Sequence, residues 1–125
     1  MIAESLFIKL TDKKGWGVFT DKTLQADTLI EISPVIIMSA EEKILIDKTV
    51  LYNYIFDWEN DKCCMAMGYI PVYNHALPSN CEYFQDYANG TIFIKTMRLI
   101  NAGEELTINY NGDWNNEKKV WFDVL

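Results

Sequence analysis

The chain has 125 residues, half of them apolar and 14% aromatic, which suits a compact core and excludes a disordered chain. Eleven Lys and Arg stand against 18 Asp and Glu, a net charge of −7 that repels phosphate backbones, argues against direct DNA or RNA binding, and would steer a basic partner toward the surface. The first residues, MIAESLFIKLTDKK, lack a basic leader followed by a long apolar run, and no stretch of about 20 apolar residues occurs, so a soluble intracellular protein outside the membrane is expected.

No repeat, linker or low-complexity segment interrupts the chain, which reads as a single domain over 1–125. SLFIKL (5–10) and WGVFT (16–20) predict two strands flanking the turn signal DKKG. TLIEISPVIIM (28–38) predicts a third, with Pro34 at a bulge or an edge. Ser39 and Glu42 have the spacing of a capping box and predict a short helix through about Asp47. VLYNYIFDW is aromatic and β-prone, and ENDK predicts a turn back into CCMAMGY. Further on, two β-prone runs meet at Asn89-Gly90, which predicts a hairpin with a two-residue type I′ turn. Ala102-Gly103-Glu104-Glu105 then turns the chain into a strand ending at Tyr110. The whole reads as mostly β with little helix, followed by a polar and then aromatic tail, NNEKKVWFDVL.

Three stretches carry polar or aromatic groups that could do chemistry, and each has a plain alternative. KKGWGVF (13–19) lets the backbone approach a ligand closely, but it lacks the pattern of a phosphate loop and by itself is a turn. YNHALPSNCEYF (73–84) holds the single histidine, His75, beside Asn74 and six residues before Cys81. One His and three Cys could supply four metal ligands, but no C-x₂-C or H-x₃₋₅-H spacing is present, so no metal is expected. A nucleophilic Cys/His pair lacks an orienting third group, and buried apolar cysteines explain all three thiols. INAGEELTINYNGDW (100–114) ends on Tyr110 and Trp114, which taken alone are ordinary aromatics.

Taken together they are more specific. Gly-x-Gly-x-Phe, Asn-His-x₄-Asn-Cys and Gly-Glu-Glu-Leu-Thr-x-x-Tyr-Asn follow one another in about a hundred residues. This ordered trio resembles the SET-domain protein lysine methyltransferases, and in length the chain is similar to their minimal, virus-type members. The resemblance spans roughly residues 6 to 114. It implies a β-clip-like fold of several short sheets, with a C-terminal pseudoknot near the Asn-His strand, a connection that general rules would not predict.

The resemblance also implies a site. Lys14, Gly15, Trp16 and Gly17 would lie against S-adenosylmethionine, with Asn74 and the backbone of His75 contacting it too, so the imidazole is neither base nor metal ligand. Tyr110 matches the catalytic tyrosine and would also touch the cofactor. Tyr54 matches a second active-site aromatic, with Tyr69 and Tyr73 as further walls of a substrate channel suited to a methylated ammonium. The implied substrate is a lysine in a histone or other basic protein, and the minimal type implies a homodimer. The alternative is a non-catalytic SET-like module that binds lysine-rich peptide. The chain departs from the family pattern at Ala76, Pro78 and Trp114, the last standing where an active-site Tyr is usual. No cysteine cluster follows Tyr110, so Trp121 and Phe122 are the expected closure of the channel.

Overall fold

The computed structural model describes residues 1–112. Trp114, Trp121 and Phe122, with the expectations attached to them, lie outside the described residues. The described chain runs β1 (Leu6–Leu10), β2 (Trp16–Thr20), β3 (Leu29–Met38), α1 (Ala40–Ile46), a 3₁₀ turn (Val50–Tyr54), β4 (Phe56–Asp57) and β5 (Cys63–Ala66). It continues through a second 3₁₀ turn (Ile70–Val72), β6 (Asn74–His75), β7 (Cys81–Asp86), β8 (Thr91–Thr96) and β9 (Glu105–Ile108).

Two sheets result, ordered β1-β2-β9-β6 and β4-β5-β3-β8-β7. Strand β8 shows why sequence alternation predicts burial: Ile92, Ile94 and Thr96 are fully buried while Thr91, Phe93 and Lys95 are not. Those isoleucines join Val18, Ile30, Ile70, Ile100, Leu106 and Ile108 in the core, each buried side chain contributing about 1.5–3 kcal/mol. Helix α1 starts where the capping box predicts: Ser39 Oγ accepts the Glu42 N–H at 3.1 Å, and the Ser39 N–H donates to Glu42 Oε1 at 2.9 Å.

Four local expectations need correction. Val50–Tyr54 is a 3₁₀ turn whose first turn is capped by Thr49, leaving only Phe56–Asp57 as strand. The capping hydroxyl offers the backbone a partner that β-propensity does not consider. The Asn89-Gly90 turn is not a two-residue one. Asp86 pairs with Thr91, so four residues form the loop, and of Asn89 and Gly90 only Gly90 has positive φ (63°). The Asp86 carboxylate accepts from the backbone and the amide of Asn89 and holds it in the wider loop. The type I′ pattern occurs instead at Asn60 and Asp61, both at positive φ, between β4 and β5. Pro34 sits neither at a bulge nor at an outer edge of the sheet. The register shift lies between Leu29 and Glu31, and Pro34 is where β3 passes from its partner β8 to its partner β5, a point that spares its missing N–H. Finally, the last strand ends at Ile108, two residues before Tyr110.

The feature that builds the site is the position of β9. It lies between β2, paired antiparallel, and β6, paired parallel with Asn74 opposite Thr107 and His75 opposite Ile108. Asn80 grips the same strand: its amide donates to Glu105 O at 2.8 Å and its carbonyl oxygen accepts the Thr107 N–H at 2.8 Å. Three segments far apart in sequence are thereby brought side by side.

Candidate active site

Thr11 shapes the loop between β1 and β2. Its N–H and its hydroxyl both donate to Gly15 O, at 2.7 and 2.8 Å, and the hydroxyl accepts the Lys14 N–H at 2.8 Å. Beyond this loop, Trp16 O accepts from Asn74 Nδ2 at 3.0 Å, and the other bond of that amide goes to Glu105 Oε2 at 2.7 Å. With both amide protons used inside the protein, Asn74 can offer a ligand its acceptor oxygen. Gly17 is packed under this pair: a Cβ there would stand 2.5 Å from Glu105 Oε2 and 3.1 Å from Asn74 Nδ2. Only glycine leaves the Asn74–Glu105 contact intact.

Tyr110 is held at three points. Its N–H donates to His75 Nδ1 at 3.0 Å, its hydroxyl donates to the backbone oxygen of Tyr73 at 2.8 Å, and its own carbonyl accepts from the Tyr83 hydroxyl at 3.3 Å. Burial, and to a smaller extent Glu105 and Tyr54, push the Tyr110 phenol up to about 12. Burial, helped by Lys14, lowers the His75 imidazole from its ordinary value, so the neutral ring that accepts from Tyr110 is the favoured form. The histidine therefore has a definite task, orienting the tyrosine backbone, while its carbonyl takes a long 3.5 Å bond from Lys14 Nζ.

Two cavities meet at this tyrosine. One, of about 600 Å³, is lined by Lys14, Gly15, Trp16, Asn74, Tyr54 and Tyr110, among others. The other, of about 310 Å³, is lined by Tyr54, Phe56, Tyr73, Tyr83 and Tyr110, with Asp47 and Asp57. Asn53, Tyr54, Pro71 and Tyr110 belong to both.

Most of the residues singled out from sequence are thus brought together. Gly17 and His75 act from behind the lining, as support. Tyr69 lines neither cavity; its N–H donates to Glu31 Oε2 at 2.9 Å. Tyr73 lines the smaller cavity, but its ring is buried and its hydroxyl donates to Glu31 Oε1 at 3.2 Å. Thr11, Glu31, Tyr83 and Glu105 are not among the candidates read from sequence. Of these, Glu31 carries a visible signal, an acid inside the apolar run LIEISPVII. Among the described residues, no group of three or more His, Cys, Asp or Glu is placed to hold a metal ion. All three cysteines are buried free thiols, and burial pushes Cys64 and Cys81 up to about 12, far from nucleophilic thiolates.

Comparison with known proteins bears on the family and the fold. The model of the SET domain matches residues 15–111. The chain is 37% identical over 124 residues to the Schizosaccharomyces pombe histone-lysine N-methyltransferase specific for H3 lysine-37, covering 98% of this chain and 80% of that protein. A proposed histone methyltransferase from Plasmodium falciparum, solved by crystallography, superposes with a TM-score of 0.67 at 21% identity, over 90% of this chain and 98% of that one. With most of its length matched by the family and its motifs gathered around Tyr110, this chain belongs to the SET domain family.

Proposed function

We propose that this protein transfers methyl groups from S-adenosylmethionine to the side-chain amine of a lysine in a basic protein, with a histone as the first candidate. The observation that carries the reading is the junction of two cavities at Tyr54 and Tyr110. A group-transfer enzyme that takes two large partners needs each to enter from its own side and to meet at one point.

The larger cavity suits the cofactor. Its volume of about 600 Å³ lies within the usual range for small-molecule sites. Asn74 supplies an acceptor oxygen, Lys14 a positive charge suited to a carboxylate, and Trp16 an aromatic face for a nucleobase. When bound there, S-adenosylmethionine supplies an activated methyl group on a sulfonium. The smaller cavity, walled by Tyr54, Phe56, Tyr83 and Tyr110, suits the alkyl stem and cationic head of lysine.

A free lysine has a pKa of about 10.4, so its amine must be stripped of a proton before it can attack. Loss of water around the amine and the positive sulfonium beside it both favour the neutral form, and the proton leaves to solvent before the amine attacks. Tyr110 is not the base in this scheme. With its phenol at about 12 it remains a hydroxyl at neutral pH and acts by positioning, a contribution that can reach about 7–11 kcal/mol when reactants are well aligned. The Schizosaccharomyces pombe relative, which acts on H3 lysine-37, supports a histone lysine as substrate, and the net charge of −7 suits a basic one.

The test is turnover with methyl-deuterated S-adenosylmethionine and core histones, read by mass spectrometry, beside Tyr110→Phe. Label should appear on specific lysines and fall at least about 100-fold in the variant. Cofactor Kd should stay within about threefold, because only the hydroxyl is removed. Cofactor binding without label on any protein would sink the catalytic reading and leave a peptide-binding module.

A further inference from the structure

Strand β3 carries a fully buried acid, Glu31, which itself lines neither cavity. A carboxylate in a core is costly unless its oxygens are matched by donors. None of the ion pairs among the described residues involves it; it is matched instead by three neutral donors. Ser33 Oγ donates to Oε2 at 2.7 Å, the Tyr69 N–H to the same oxygen at 2.9 Å, and the Tyr73 hydroxyl to Oε1 at 3.2 Å.

Two of those donors bracket one short segment. Tyr69 and Tyr73 stand on either side of the 3₁₀ turn Ile70–Val72, so a single carboxylate holds both ends of it. The segment does two things at the site. Pro71 lines both cavities, and Tyr73 presents the backbone oxygen that receives the Tyr110 hydroxyl at 2.8 Å. A third observation shows how closely this chain lies on the acid: a Cβ at Gly68, next to Tyr69, would collide with the Glu31 carboxylate and the Ser33 hydroxyl.

We propose that Glu31 is a positioning residue for methyl transfer, which fixes the Tyr110 hydroxyl by clamping the segment Tyr69–Tyr73 through the phenol of Tyr73. The inference rests on the methyltransferase reading. The acid touches neither cavity and handles no proton of the reaction. Its effect travels through one hydrogen bond to the Tyr73 ring, then through the Tyr73 backbone to the anchor of Tyr110. Desolvation raises the pKa of Glu31, as expected for an acid held in place by geometry in spite of its burial.

The experiment compares Glu31→Ala, Glu31→Gln, Tyr73→Phe and the Glu31→Ala/Tyr73→Phe double variant. Each rate is normalised to active sites counted by S-adenosylhomocysteine binding. Tyr73→Phe keeps the ring that fills the core, and Glu31→Gln keeps the length and the hydrogen-bonding ends of the side chain, since the Tyr73 hydroxyl can accept from the new amide. Glu31→Ala and Tyr73→Phe should each lower kcat about tenfold or more, with KM for cofactor and for histone within about threefold. Glu31→Gln should recover most of what Glu31→Ala loses, and the double variant should be no slower than the slower single one. A Tyr73→Phe protein with wild-type kcat, or losses that multiply in the double variant, would overturn the proposal. Failure of the parent reading would look different, because the wild-type protein itself would then transfer no methyl group.

Discussion

At the scale of single residues, the site depends on positions where no other side chain satisfies the geometry. Gly17 is the sharpest case, because its missing Cβ is what allows Asn74 to reach both Trp16 O and Glu105. A methyl there would push the Glu105 carboxylate off Asn74, and the freed carboxylate can swing toward solvent. Gly17→Ala should therefore damage the cofactor cavity more than the fold. We expect cofactor Kd to rise at least about tenfold, or about 1.4 kcal/mol, by calorimetry, with little change in Tm. The Tyr110 backbone is held through its N–H and its carbonyl, so removal of the hydroxyl leaves two of its three anchors in place.

At the scale of elements, β9 is the organising strand, since it links the Gly-x-Gly loop to the Asn-His strand. Asn80 ties its loop to β9 from the side, and the groups it satisfies, Glu105 O and the Thr107 N–H, lie on a strand that is largely buried. Asn80→Ala would leave both unpaired. We expect a loss of about 3 kcal/mol of unfolding free energy in urea titrations, from one buried and one partly buried polar group at about 1–3 kcal/mol each. Such a loss exceeds what the capping box of α1, about 0.5–2 kcal/mol, or its Lys43–Asp47 pair at 2.9 Å, about 0.3–0.5 kcal/mol, contributes. The helix decorates the site, and β9 builds it.

At the scale of the whole molecule, two buried titratable groups pull stability in opposite directions with pH. The folded pKa of Glu31 lies above 4.5, so its contribution is full below that pH and is lost as pH rises through the folded value. The folded pKa of His75 lies below 6.5, so its contribution is full above that pH and is lost as pH falls through the folded value. Comparing wild type with Glu31→Gln isolates the first effect, because every other group cancels. The difference in unfolding free energy, wild type minus variant, should decline from pH 4.5 toward neutrality in urea melts. A difference that stays flat over that range would show that Glu31 ionises as freely in the folded protein as in the unfolded one.

Sequence chemistry that acts over a few residues was legible. β-prone runs beside turn signals marked β1, β2 and β8, the Ser39/Glu42 spacing started α1 at the right place, and the ordered motifs led to Lys14, Gly15, Trp16, Asn74 and Tyr110, which line one cavity. Where local signals competed, they misled: Thr49 capped a 3₁₀ turn in a β-prone run, and Asp86 drew Asn89 out of the tight turn that Asn-Gly favours. Only the tertiary structure decided that His75 orients Tyr110, that Glu105 completes the Asn74 contact, and that Glu31 clamps Tyr73. Those bonds join residues 31 to 42 positions apart, and a hydrogen bond across such a distance leaves no periodicity or turn signal in the sequence of either partner.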